Sequence, residues 1–114
     1  MAFMMALNDL FLIYNGLKWI TMRRVTDKHK IGSIYQIKLN LFDDYSFKVK
    51  IISKEIVNLN EMGESDFKGI DYPKEEYLSH PYNINNPSPM RVKYEFKIVE
   101  VNNTRLNELN IRRI

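Results

Sequence analysis

Cysteine is absent from the 114-residue chain, so disulfide staples and thiolate zinc sites are both excluded. Its absence fits a reducing compartment best. Histidine occurs only at positions 29 and 80, with neither helical pairing nor cysteine partners, and no metal centre is expected. The glycines are four and scattered; they build neither a P-loop nor a dinucleotide turn. ATP, NAD and other cofactors are therefore not expected. No serine nucleophile elbow is present either. Apolar runs fall short of the roughly 20 residues that a membrane helix needs. The opening Met1-Ala2-Phe3-Met4-Met5 lacks a positively charged leader, and Asn8 and Asp9 interrupt the apolar stretch. A cytoplasmic protein without a membrane partner is the expectation.

What remains is ordinary for a globular domain: 45% hydrophobic and 27% charged residues, enough for one core and too few for two. The net charge of +3 makes the chain mildly basic, which is compatible with a polyanionic partner.

One stretch concentrates the chemistry: Gly16-Leu17-Lys18-Trp19-Ile20-Thr21-Met22-Arg23-Arg24. A helical pattern (Leu7, Leu10, Phe11, Tyr14, with Asn8 as its cap) runs into Asn15-Gly16, a left-handed stop. An alternating pattern leaves it. In a strand that buries Ile20 and Met22, Trp19, Thr21 and Arg23 take the other face. Lys18 joins them only if the turn at Gly16 aims it there.

Ala2 to Met5 reads as a short first strand and Thr26 to Lys30 as a polar loop. Ser33 to Lys54 then reads as a hairpin. Matching Tyr35, Ile37, Leu39 and Leu41 against Tyr45, Phe47, Val49 and Ile51 sets Leu41 opposite Tyr45 around a three-residue loop. The same register puts Lys38 opposite Lys48, a like-charge pair that an anionic partner would relieve. Residues 60–69 read as one or two helical turns, Pro73 to Ser79 as a short helix, and Pro81 to Pro89 as an irregular loop. Met90 to Val101 is the last long strand, with Val92, Tyr94, Phe96 and Ile98 on one face and Arg91, Lys93, Glu95 and Lys97 on the other. The switch at Val99 and Val101 implies a bulge. Residues 102–114 form a polar tail whose Leu106 and Leu109 need a docking surface, on the same domain or on a second copy. The count gives an α+β fold: a small curled sheet or barrel of about five strands with two or three short helices.

The order of helix, Gly-x-Lys-x-x-Thr-x-Arg strand, basic loop, hairpin, short helices and final strand resembles the ASCH domain, a branch of the PUA-like barrels. The matching pieces are Gly16 to Arg23, Gly32, Leu59 with Met62, Lys68-Gly69-Ile70, and Tyr94 to Val99. On this resemblance residues 1–101 form the ASCH/PUA-like domain, and 102–114 form a C-terminal docking or oligomerisation segment. The resemblance implies binding of RNA or another nucleic acid. The expected contacts are Lys18, Thr21 and Arg23, with Trp19 stacking on a base, and Arg24, Lys38 and Lys48 as auxiliary contacts. Some similar bacterial proteins are amidohydrolases that deacetylate acetylcytidine, using the lysine and threonine of this motif and a later glutamate. Lys18 and Thr21 match that pair, whereas the glutamate's place falls on Lys68 or Ile70; Glu64, Asp66 and Asp71 lie near it in the chain. A third reading is a homodimer or other assembly built through the tail. A small accessory protein of an archaeon or archaeal virus suits this size, and a viral origin would make the expected cytoplasm that of the host.

Overall fold

Side chains alternate along five segments of the chain, and the computed structural model, which describes residues 2–70 and 72–114, joins those segments into one sheet. Its strands are β1 (Ala2–Met4), β2 (Ile20–Arg23), β3 (Ile34–Lys38), β4 (Phe47–Asn58) and β5 (Met90–Val101). Their spatial order is β1-β3-β4-β5-β2, parallel at β1/β3 and antiparallel elsewhere. Around the sheet lie α1 (Leu7–Tyr14), α2 (Lys74–Ser79), α3 (Pro81–Ile84) and α4 (Asn103–Glu108). Two 3-10 turns, Leu59–Glu61 and Glu64–Phe67, follow β4. The expected α+β barrel-like fold of five strands is the one found.

Two bulges interrupt the long β4/β5 pair. Ile52 has no partner between Ile51↔Phe96 and Ser53↔Glu95, and Val99 has none between Val49↔Ile98 and Lys48↔Glu100. Bulges bend and twist a strand. The sheet curls until its edge strands β1 and β2 face each other, with Met4 and Met5 on one side of a cavity and Thr21, Met22 and Arg23 on the other.

Inside the curl Phe3, Ile37, Phe47, Val49, Ile51 and Phe96 form the main core, closed at one end by Leu10 and Ile13 of α1 and by Leu106 and Ile111 of the tail. Asn15 locks that end. Its side-chain amide donates to the Arg112 carbonyl at 2.9 Å, and its Oδ1 accepts from the Ile114 amide at 2.7 Å. The tail therefore docks on its own domain. A second core packs Ile20 and Met22 of β2 onto Leu59, Met62, Phe67 and Tyr77.

The hairpin register differs from the sequence expectation by two residues. Ile37 faces Phe47 and Gln36 faces Lys48, so residues 39–46 form the loop. A shift of two leaves every side chain on its face, and apolar matching cannot detect it. The wider loop is fixed by polar contacts instead: Asp43 pairs with Arg105 at 3.2 Å, and Asn102 donates to the Tyr45 carbonyl at 2.9 Å. At the start of α1 Asp9, not Asn8, supplies the cap, accepting from the Ala6 amide at 3.0 Å. The segment expected to be irregular begins with α3, with Pro81 in its first turn and His80 Nδ1 accepting from the Tyr82 amide at 3.2 Å.

Candidate functional site

The path of the chain through Gly16 decides where Lys18 goes. The Leu17 amide donates to the Leu12 carbonyl at 2.8 Å and the Gly16 amide to that of Ile13 at 3.1 Å, closing α1 through a left-handed residue with φ +71°. The amides of Trp19 and Ile20 then both donate to the Gly69 carbonyl, at 2.9 and 3.0 Å. Pinned at both points, the backbone turns Lys18 into the gap between β1 and β2 and Trp19 away from it, onto the second core.

The gap is a cleft of about 260 Å³. Lys18, Thr21 and Arg23 line it, as do Tyr72, Tyr77, His80 and Tyr82 and, from the start of α1, Ala6 and Asp9. Lys18 and Thr21 are each only 5% exposed. Arg23 Nε donates to Thr21 Oγ1 at 3.1 Å, which leaves the hydroxyl proton free to face a ligand. The Arg23 guanidinium lies 5.1 Å from the centroid of Phe3, a cation–π contact that fixes its position. Among the described residues of the cleft, Lys18, Arg23 and the positive end of α1 outweigh the carboxylate of Asp9, so they favour an electron-rich or anionic ligand.

Of the expected site residues, the structure brings Lys18, Thr21 and Arg23 together. Arg24 stands at the rim, its guanidinium 5.4 Å from the ring centre of Tyr82. Trp19 does not enter the cleft: its ring lies against Gly69, so closely that a Cβ there would sit 2.4 Å from Trp19 Cε2. Lys38 and Lys48 also lie outside it. Lys38 sits opposite Met4 on the β1/β3 pair, while Lys48 faces Gln36 and Glu100, its ammonium 3.7 Å from the Glu100 carboxylate. A glutamate-bearing neighbour in β5 relieves the charge that was expected to need an external anion. Asp71 lies outside the described residues, and Glu64 and Asp66 are not among the cleft's lining.

Behind the cleft lies a buried polar network in the segment that reads as a plain loop. Asp27 Oδ1 accepts from the Tyr94 hydroxyl at 2.7 Å and lies 2.5 Å from His29 Nδ1. The His29 ring stacks on Phe3 at 3.8 Å, on whose ring Arg23 also rests. Burial pushes the Asp27 carboxyl up, but the hydrogen bonds from Tyr94 and then His29 outweigh it and hold the group below its ordinary value. Burial, then the Asp27 bond, pushes the Tyr94 hydroxyl up from its usual 10.0. The signs give a pH profile. Asp27 stabilises the fold above the ordinary carboxylate range, and that contribution is lost as pH falls through its lowered value. Tyr94 contributes below about pH 10, and that contribution is lost as pH rises beyond it. In urea titrations Asp27→Asn is expected to lower stability at neutral pH and to flatten its decline in acid; an unchanged acid limb contradicts this assignment.

Sequence reasoning missed the aromatic lining. Its signal was present as Tyr72, Tyr77, His80 and Tyr82 within eleven positions, but no periodicity says that a short helical segment folds back over β2. It also put Arg91 on an outward face, whereas Arg91 is 0% exposed. Its Nη1 donates to the carbonyls of Ser88 and Met90 at 2.6 and 2.8 Å, and its Nη2 to Asn83 Oδ1 at 3.1 Å. Asn83 in turn donates to the Tyr77 carbonyl at 2.5 Å. Arg91 thus ties the segment carrying the aromatic lining to the end of β5.

The fold is shared with a bacterial protein of known structure. Protein EF3133 from Enterococcus faecalis V583, described as a member of family DUF984, matches with a TM-score of 0.64. The match covers 89% of this chain and 80% of that one at 18% sequence identity, and likeness at that level concerns the fold alone. No family model matches the chain, and no curated protein matches it. Among the described residues no helix is long and apolar enough to cross a membrane, and no cluster of metal-ligating side chains occurs.

Proposed function

We propose that this protein is a divergent ASCH-type member of the PUA-like barrels, and that it binds single-stranded RNA by drawing one nucleotide into the cleft between β1 and β2. The observation that carries the reading is the convergence of Lys18, Thr21 and Arg23 on one cavity that three tyrosines also line. Arginine offers a planar fork to phosphate oxygens, and lysine a point charge. Unstacked bases of single strands are held by aromatic faces and by hydrogen bonds at their edges, and the rings and hydroxyls of the tyrosines suit both. A duplex does not fit a cleft of this size. Lys38 and Lys48, on other faces of the barrel, take no part.

A salt series with a labelled single strand tests the reading. Each phosphate contact contributes roughly 0.7 to the magnitude of the log–log slope. Two contacts at the cleft predict a slope near −1.4 that falls toward zero in Arg23→Gln combined with Lys18→Met. Binding with the same slope in both proteins sinks the proposal.

One observation favours a second reading, the amidohydrolase: Lys18 and Thr21 share the cavity, and a carboxylate, that of Asp9, also lines it. A threonine nucleophile needs a base to take its proton. Incubation with acetylcytidine separates the readings, because turnover that disappears in Thr21→Ala belongs to the enzyme alone.

A further inference from the structure

Phe42 is 94% exposed and its neighbour Leu41 63%, at the tip of the 39–46 loop. The tip is not a loose strand end. The Phe42 amide donates to Asn40 Oδ1 at 3.0 Å, Asn40 Nδ2 donates to Asp43 Oδ2 at 2.9 Å, and Arg105 and Asn102 of the tail grip Asp43 and Asp44, each at 3.2 Å. A large aromatic side chain is thus presented to water on a fixed support. Little ordering remains to be done when it meets a partner.

The same end of the barrel carries an apolar groove of about 310 Å³ between α1 and the tail, lined by Leu7, Phe11, Leu109 and Ile111 with Asn8 and Asn110. Leu109 follows directly on α4, the helix whose Arg105 holds the Phe42 loop, so one short helix joins knob and groove. Their surroundings differ in charge. Asp43, Asp44, Glu100 and Glu108 cluster around the loop against Arg105 and Lys48, whereas Arg112 and Arg113 are exposed beside the groove. Two copies related by a twofold axis would set the acidic knob of each against the basic groove of the other.

We propose that a second copy of this chain occupies the groove, Phe42 of each protomer seated between Leu7, Phe11 and Leu109 of its partner in a reciprocal dimer. Aromatic anchors in apolar pockets are the usual centres of such interfaces. When each copy's knob fills the other's groove about a twofold axis, both contacts are used up within the pair, which closes it. The inference is independent of what the cleft binds.

Sedimentation equilibrium over a concentration series tests it. The wild-type chain is expected to dimerise. Phe42→Ser and Leu7→Arg, both at exposed positions, should each be monomeric with unchanged thermal melting, and Phe42→Ser, which is not among the cleft's lining, should also keep its RNA binding. Mixing the two variants restores one intact contact, the Phe42 of the Leu7→Arg chain in the groove of the Phe42→Ser chain, and should give a weak heterodimer. A monomeric wild type, a dimer that survives Phe42→Ser, or a mixture that stays monomeric overturns the proposal.

Discussion

Replacing Lys18 with methionine and Arg23 with glutamine together is expected to weaken RNA binding by about 100-fold at low salt. Hydrogen bonds to charged groups contribute about 1.5–3 kcal/mol each, and every 1.4 kcal/mol is about tenfold in affinity. The two side chains share one cavity, so their effects need not add. Methionine keeps most of the lysine stem, so the packing of this buried side chain survives the loss of its charge. Fluorescence anisotropy measures the loss, and an unchanged melting curve shows that it is not unfolding. Lys38→Gln and Lys48→Gln serve as controls, since both lie outside the cleft; a loss there as large as at Lys18 and Arg23 places the ligand elsewhere.

Gly69→Ala is expected to be among the most destabilising single substitutions in the chain, at about 3 kcal/mol. Two causes combine. The residue has φ +86°, a conformation L side chains adopt only with strain, and the new methyl would meet the Trp19 ring at 2.4–2.8 Å. Neither can relax cheaply, because the Gly69 carbonyl holds the amides of Trp19 and Ile20 and the ring is set in the second core. The shift in urea midpoint reports the cost. Trp19→Leu in the same chain removes the ring and should recover the steric part while leaving the strain. If Gly69→Ala costs nothing, the Trp19 contact is wrong, and with it the path that aims Lys18 into the cleft.

Much of this molecule is legible in its residues. Strong alternation gives β4 and β5, the break at Val99 marks a bulge, and Asn15-Gly16 ends α1 where the turn requires it. What sequence cannot supply is long-range closure. Trp19 reads as belonging to the face of Thr21 and Arg23 because alternation assumes a strand, yet the strand begins only at Ile20. Lys18 reads as joining that face only if the turn at Gly16 aims it there, and the turn does so. Arg91 has the alternation of an outward residue, but the segment of Asn83 and Ser88 folds over it and supplies acceptors that water would otherwise provide. Asp27, His29 and Tyr94 lie 67 positions apart at their extremes, and nothing local joins them. Arg91 finds its partners within eight residues, through an irregular turn that alternation does not describe; for the others the decisive contact is between segments distant in the chain, where periodicity carries no information.

The cleft between β1 and β2 as the seat of RNA binding is tested most directly by titrating a short single-stranded RNA into isotopically labelled protein and following amide and methyl resonances. The predicted result is saturable perturbation confined to residues around Lys18 to Arg24, to Met4 through Asp9, and to the segment from Tyr72 to Asn83. Perturbation centred on Lys48, Lys50 and Lys97 with the cleft resonances unmoved contradicts it.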